Sequence, residues 1–187
     1  MYKTLGQREV EQIIKKSRFI ALSQNVTTEK EAKDFVESVR QKYYDARHIA
    51  YAYRLSDNEQ IYQKSSDDGE PSGTAGKPIL NLILNENLMN VCICVVRYFG
   101  GIKLGAGGLT RAYGNTASML REYFVNLQKE ITIETTINNA DRLLKYLDVH
   151  NLVYKKQFLD KLTVSVFVDN VENLKKDLDY VDFIVDK

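Results

Sequence analysis

What the chain lacks excludes several functions. It has two cysteines in 187 residues, Cys92 and Cys94. Two positions apart in a strand, they point to the same face, so no disulfide framework follows and a reducing cytoplasm fits best. The two histidines, His48 and His150, fall in different halves of the chain, and a structural zinc site needs four ligands. No Ser-His-Asp set can be assembled at a recognisable spacing. No catalytic residue, metal site or cofactor is therefore assigned. The longest apolar runs, Val91 to Val96 and Ile79 to Leu84, are far too short to cross a bilayer, so no membrane partner is expected. The stretch Met1 to Arg8 has no continuous apolar core, hence no visible secretory signal. A net charge of +1 excludes a strongly basic nucleic-acid binder of the histone kind. There are 18 basic and 14 acidic residues before Glu130, against 8 and 11 from there on, which places any anionic partner on the first half.

What the chain does have is a concentration of glycine. Nine of ten glycines, and both prolines, fall between Ser65 and Gly114. The first cluster, Ser65 to Pro78, and the second, Arg97 to Arg111, flank the apolar run Val91-Cys-Ile-Cys-Val-Val96. Glycine loses more backbone entropy on ordering than any other residue, so such clusters imply positive-φ turns or close backbone approach. Exposed amides beside Lys77, Arg97, Lys103 and Arg111 would suit an anion. Tyr98 and Phe99 could add stacking surface for an unpaired base. The alternative is that the glycines only make turns and thin a helix for packing. A Walker A loop is rejected, since Pro71 and Pro78 stand where its glycine and its Ser or Thr belong. A dinucleotide fingerprint on Gly105-Ala-Gly107 fails at Thr110. Asp67, Asp68 and Glu70 read as solvated turn formers rather than catalytic carboxylates, and His48 as a structural histidine.

Taken in order, residues 1 to 16 read as polar and irregular and Ser17 to Val26 as a strand. Thr28-Glu-Lys-Glu31 is a capping box opening a helix whose core face is Ala32, Phe35, Val36, Val39 and Tyr43. His48 to Leu55 and Gln60 to Lys64 form a hairpin turned at Ser56 to Glu59. Ile79 to Leu84 is a helix with Pro78 in its first turn. Val91 to Val96, without alternation, is a strand covered on both faces. Leu109, Ala112, Tyr113, Thr116, Ala117, Leu120 and Phe124 make one helical stripe. Beyond Asn126 to Lys129 the pattern is βαββαβ, the split-βαβ arrangement of ferredoxin-like domains. Two domains are expected, 1–127 and 128–187, in an α+β fold.

The runs Ser66-Asp-Asp-Gly-Glu-Pro-Ser-Gly-Thr-Ala-Gly-Lys-Pro-Ile79, Val95-Val-Arg-Tyr-Phe-Gly-Gly-Ile-Lys-Leu-Gly-Ala-Gly-Gly-Leu109 and Arg111-Ala-Tyr-Gly114 resemble the IMPACT/YigZ family. The match covers roughly Ser17 to Tyr123, and the βαββαβ tail resembles the small C-terminal domain of the bacterial branch. The resemblance implies an N-terminal fold like the second domain of ribosomal protein S-five and domain IV of elongation factor G, with a tail like domain V of that factor. It also implies a tie to translation, since the eukaryotic IMPACT protein restrains an amino-acid-starvation kinase pathway. The expected function is a non-enzymatic, translation-associated regulator. It would bind RNA or the ribosome through Lys77, Arg97, Lys103, Gly105, Gly107, Gly108 and Arg111. The surrounding loop candidates are Asp67, Asp68, Glu70, Ser72, Gly73, Thr74, Gly76, Tyr98, Phe99, Gly100 and Gly101. One alternative is a binder or enzyme for a nucleotide or phosphorylated small ligand using the same loops. Another is a protein-interaction module with a translation-factor or regulatory partner.

Overall fold

The computed structural model describes residues 2–57, 60–169, 171–181 and 183–186. It divides into two compact units, Tyr2–Val125 and Asn126–Lys187.

In the first unit, β1 (Lys3–Thr4), β2 (Arg8–Ile14), β3 (Ser17–Asn25), α1 (Glu29–Lys42), β4 (His48–Asp57), β5 (Gln60–Ser66), α2 (Gly76–Asn85), β6 (Val91–Tyr98) and α3 (Gly105–Ser118) follow in order. A 3₁₀ turn over Met119–Tyr123 extends α3. The main sheet has the order β2-β3-β6-β4-β5 and every neighbouring pair is antiparallel. Its central strand β6 is buried from Val91 to Arg97. Val91, Ile93 and Val95 enter the core beneath α2 and α3. Cys92, Cys94 and Val96 enter the core beneath α1. A strand covered on both faces has no polar side to alternate with, as its sequence implies. On the α2/α3 face the sheet offers Ala21, Ala50 and Ala52. These small residues leave room for Phe19 to meet Tyr113 edge-on at 5.3 Å between ring centroids.

The segment expected to be irregular is instead partly strand. β2 pairs with β3 in the register Arg8↔Ser23 to Ile14↔Ser17, and β1 is held by the bond from the Met89 amide to the Lys3 carbonyl. Its signal was weak because β2 is an edge strand. Val10 and Ile14 pack inward, but Ile13 between them is 73% exposed and breaks the alternation. Lys15 and Lys16 turn the hairpin at φ of 45° and 64°, the left-handed pair that a two-residue hairpin loop requires. The Thr28 hydroxyl accepts from the Glu31 amide as expected, but the Glu31 carboxylate reaches Thr27. Of the proposed turn Ser56 to Glu59, Ser56 and Asp57 belong to β4; residues 58 and 59 lie outside the described residues.

After β7 (Val125–Asn126), the second unit runs β8 (Lys129–Thr135), α4 (Ile137–Val149), β9 (Tyr154–Phe158), β10 (Leu162–Val168), α5 (Val171–Asp177) and β11 (Phe183–Asp186). The strand order β11-β8-β10-β9 and the antiparallel pairing throughout are those of the βαββαβ pattern. Ile131, Ile133, Val164 and Val166 pack against Leu143, Leu147 and Leu174 in its core. Together the units make an α+β protein.

Candidate functional site

The first glycine cluster satisfies its own amides. The Asp67 carboxylate accepts from the backbone N–H groups of Gly73 (2.8 Å), Ala75 (3.0 Å) and Gly76 (2.8 Å), at the start of α2. Burial alone would raise the Asp67 carboxyl, but these amide bonds outweigh it and hold the carboxyl below its ordinary range. The anion expected here is therefore part of the chain. Gly76 is required by close approach: a Cβ there would lie 2.6 Å from the Ser66 carbonyl oxygen. Thr74 is buried, its hydroxyl donating to the Pro71 carbonyl (2.6 Å). Ser72 is exposed and Gly73 sits at φ 74°.

Nor are the other two acidic residues solvated turn formers. Asp68 accepts from Arg40 Nη2 (2.9 Å) and from the Ile49 amide (2.7 Å). Glu70 is only 8% exposed. Its Oε1 accepts from Arg97 Nη1 at 2.6 Å and from the Tyr113 hydroxyl at 2.9 Å. Burial and the neighbouring Glu70 charge push the Tyr113 hydroxyl far up, so it stays a donor. Arg97 is itself buried, at 6% exposure, and its Nε has no hydrogen-bond partner. Its guanidinium lies 5.5 Å from the ring centroids of both Phe19 and Phe99.

The second cluster is not one loop. Gly105, Gly107, Gly108 and Arg111 all lie within α3, whose first turn has no side-chain cap. Gly100, two residues past the end of β6, lies against the β2–β3 turn, where a Cβ would lie 1.9 Å from the Lys16 carbonyl oxygen. Gly101 turns at φ 85°. The Tyr98 hydroxyl donates to Asp45 (2.6 Å) and its pKa is raised to about 12, by burial first and then by that carboxylate.

A cavity of about 360 Å³ opens where β4, β6, the loop before α2 and the start of α3 meet. Arg97, Lys103 and Arg47 supply its cations, His48 a titratable ring and Glu70 its acid. Phe99, Pro71, Leu104 and Leu109 make the apolar wall, and Gly105 and Ala106 bring the first turn of α3 to its edge. Of the four cations expected to converge, Arg97 and Lys103 line the cavity, whereas Lys77 and Arg111, both exposed, do not. Arg47 and His48 were not nominated, because what brings them in is non-local. The pairing of β4 with β6 sets His48 opposite Arg97, which no spacing along the chain discloses. His48 Nδ1 lies 2.8 Å from the Asp68 carbonyl oxygen. A carbonyl only accepts, so Nδ1 carries the proton. Among the described residues no group of His, Cys, Asp and Glu is placed to hold a metal ion, and no helix is long and apolar enough to cross a membrane.

Fold and site define a two-unit α+β protein with a basic, partly apolar cavity in its first unit. The Impact N-terminal domain profile matches residues 15–120, and the chain belongs to the IMPACT family. The IMPACT family member YvyE of Bacillus subtilis is 48% identical over 116 residues, 62% of this chain and 52% of its own. An IMPACT family member of Haemophilus influenzae is 38% identical over 159 residues, covering 83% of this chain and 72% of that one. The chain thus spans about half the length of the Bacillus relative it matches. A crystal structure of a hypothetical protein, 30% identical, superposes on 95% of this chain and 90% of its own with a TM-score of 0.61.

Proposed function

We propose that this protein is a translation-associated regulator that engages RNA, free or in the ribosome, through the cavity of its first unit. The observation that carries the reading is the cavity's chemistry. Three cationic side chains, Arg97 from β6 and Arg47 and Lys103 from two loops, surround a concave surface walled by Phe99 and Leu104, beside an uncapped helix start. Phosphates are drawn by the cations and by the α3 amides, and an aromatic wall accepts an unpaired base. Membership of the IMPACT family supports the translational setting, which is what the family resemblance implies. Lys77 and Arg111 lie outside the cavity lining and serve as controls.

The reading is tested by co-sedimentation with ribosomes. An Arg47→Gln/Lys103→Gln variant changes two side chains away from the buried Arg97–Glu70 pair and should remain folded. Wild type should pellet with ribosomes at low salt and the variant should remain in the supernatant, while Lys77→Gln/Arg111→Gln should pellet like wild type. Equal pelleting of all three proteins, or none by wild type, would contradict it.

A further inference from the structure

The cavity has features that a site for the running backbone of a nucleic acid does not need. Its volume of about 360 Å³ is near the low end for small-ligand pockets, enough for one nucleotide rather than a strand. Its charges do not balance. Arg47, Arg97 and Lys103 stand against the single carboxylate of Glu70, leaving two positive charges before His48 is counted. An internal phosphodiester carries one negative charge, whereas a terminal phosphomonoester carries about 1.5 to 2 at neutral pH. Arg97 lines the cavity although it is only 6% exposed, and its Nε, itself buried, has no partner. Glu70 and Phe99 hold its guanidinium in place. His48 keeps its Nδ1 on the Asp68 carbonyl, so Nε2 is the ring nitrogen left for a ligand. Phe99, 53% exposed, offers a face for a base.

We infer that the cavity takes one nucleotide bearing a terminal phosphomonoester. The phosphate sits among Arg47, Lys103, Arg97 and the first turn of α3, with its base against Phe99. The chemistry is shared by two sources, a free nucleoside monophosphate and the phosphorylated end of an RNA chain. This rests on the cavity being the anion site of the proposed function, and it predicts end capture rather than tracking along a strand.

The test uses the full chain and isothermal titration at one fixed ionic strength. The probes are adenosine, adenosine 5′-monophosphate, and a single-stranded hexaribonucleotide ending in 5′-phosphate, in 3′-phosphate, or in hydroxyls at both ends. At least one phosphorylated oligomer should bind ten-fold or more tightly than the hydroxyl-ended one. The monophosphate should compete for that site and adenosine should not. Arg47→Gln and Lys103→Gln should each remove most of the advantage, and Phe99→Ala should weaken monophosphate binding more than inorganic phosphate binding. Lys77→Gln should change none of these. Binding of the monophosphate without any oligomer binding would support the pocket, assign it to a free nucleotide and overturn the RNA reading. Equal binding of phosphorylated and unphosphorylated oligomers, with no competition by the monophosphate, would overturn the inference while leaving RNA binding intact. No binding of any phosphorylated probe would overturn both.

Discussion

Glu70 accepts from Arg97 and Tyr113 with one buried oxygen, so it anchors the cavity floor and also neutralises a buried cation. Removing one partner of such a pair leaves an uncompensated charge and costs about 3–5 kcal/mol. Glu70→Ala should therefore lower the denaturation midpoint far more than Lys103→Ala, whose side chain is exposed; equal effects would mean the pair is not buried in solution. Asp67 carries a pH dependence of definite sign. Its carboxyl in the folded state lies below its ordinary value, and so below the unfolded chain's value of about 3.9. The stability it contributes is present above that value and lost as pH falls through the lower, folded one. Acid titration of Asp67→Asn should accordingly show less loss of stability below about pH 4 than wild type; parallel curves would contradict the assignment. The sequence made these carboxylates visible but not their partners. Glu70 and Arg97 are 27 residues apart, and only the packing of the α2 loop onto the end of β6 joins them.

At the scale of elements, the long-periodic segments were legible. The faces of α1 and α3 and the double burial of β6 follow from their apolar spacing. The edge strand β2 did not, because an edge needs only Val10 and Ile14 on the core side. The second glycine cluster read as loop because glycine is a poor helix former, yet α3 begins within it. There the glycines differ in kind. Gly100 faces the Lys16 backbone at 1.9 Å from a built Cβ, whereas a Cβ at Gly107 meets nothing within 4 Å. Gly100→Ala should cost at least about 1–3 kcal/mol, whereas Gly107→Ala should be neutral or stabilising by up to about 1 kcal/mol. Thermal melts of the two variants decide it; a stable Gly100→Ala would mean the β2–β3 turn has no fixed contact there. Within β6, Cys92 and Cys94 are fully buried. Burial, then the neighbouring Cys92, raises the Cys94 thiol well above its ordinary value. Neither should react with a thiol reagent until the protein unfolds, and prompt native-state labelling would refute that placement.

At the scale of the molecule, each unit has its own core. We expect the tail to fold alone, marginally at its size, with limited proteolysis cutting first near Asn126 to Lys129. A fragment spanning 128–187 with no cooperative melt would show that it depends on the first unit. The family was legible in the sequence because its long glycine-rich motifs carry it, and the α+β arrangement because apolar periodicity does, whereas the cavity depends on strand register. The central claim is that Arg47 and Lys103 are phosphate contacts and that Lys77 and Arg111 are not. It is tested most directly by the salt dependence of binding to one single-stranded RNA. For each lost phosphate contact, the slope of log K against log salt should fall by about 0.7. Arg47→Gln/Lys103→Gln should therefore flatten the slope by about 1.4 and Lys77→Gln/Arg111→Gln should leave it unchanged. The reverse order of the two variants would place the anionic partner elsewhere on the first unit.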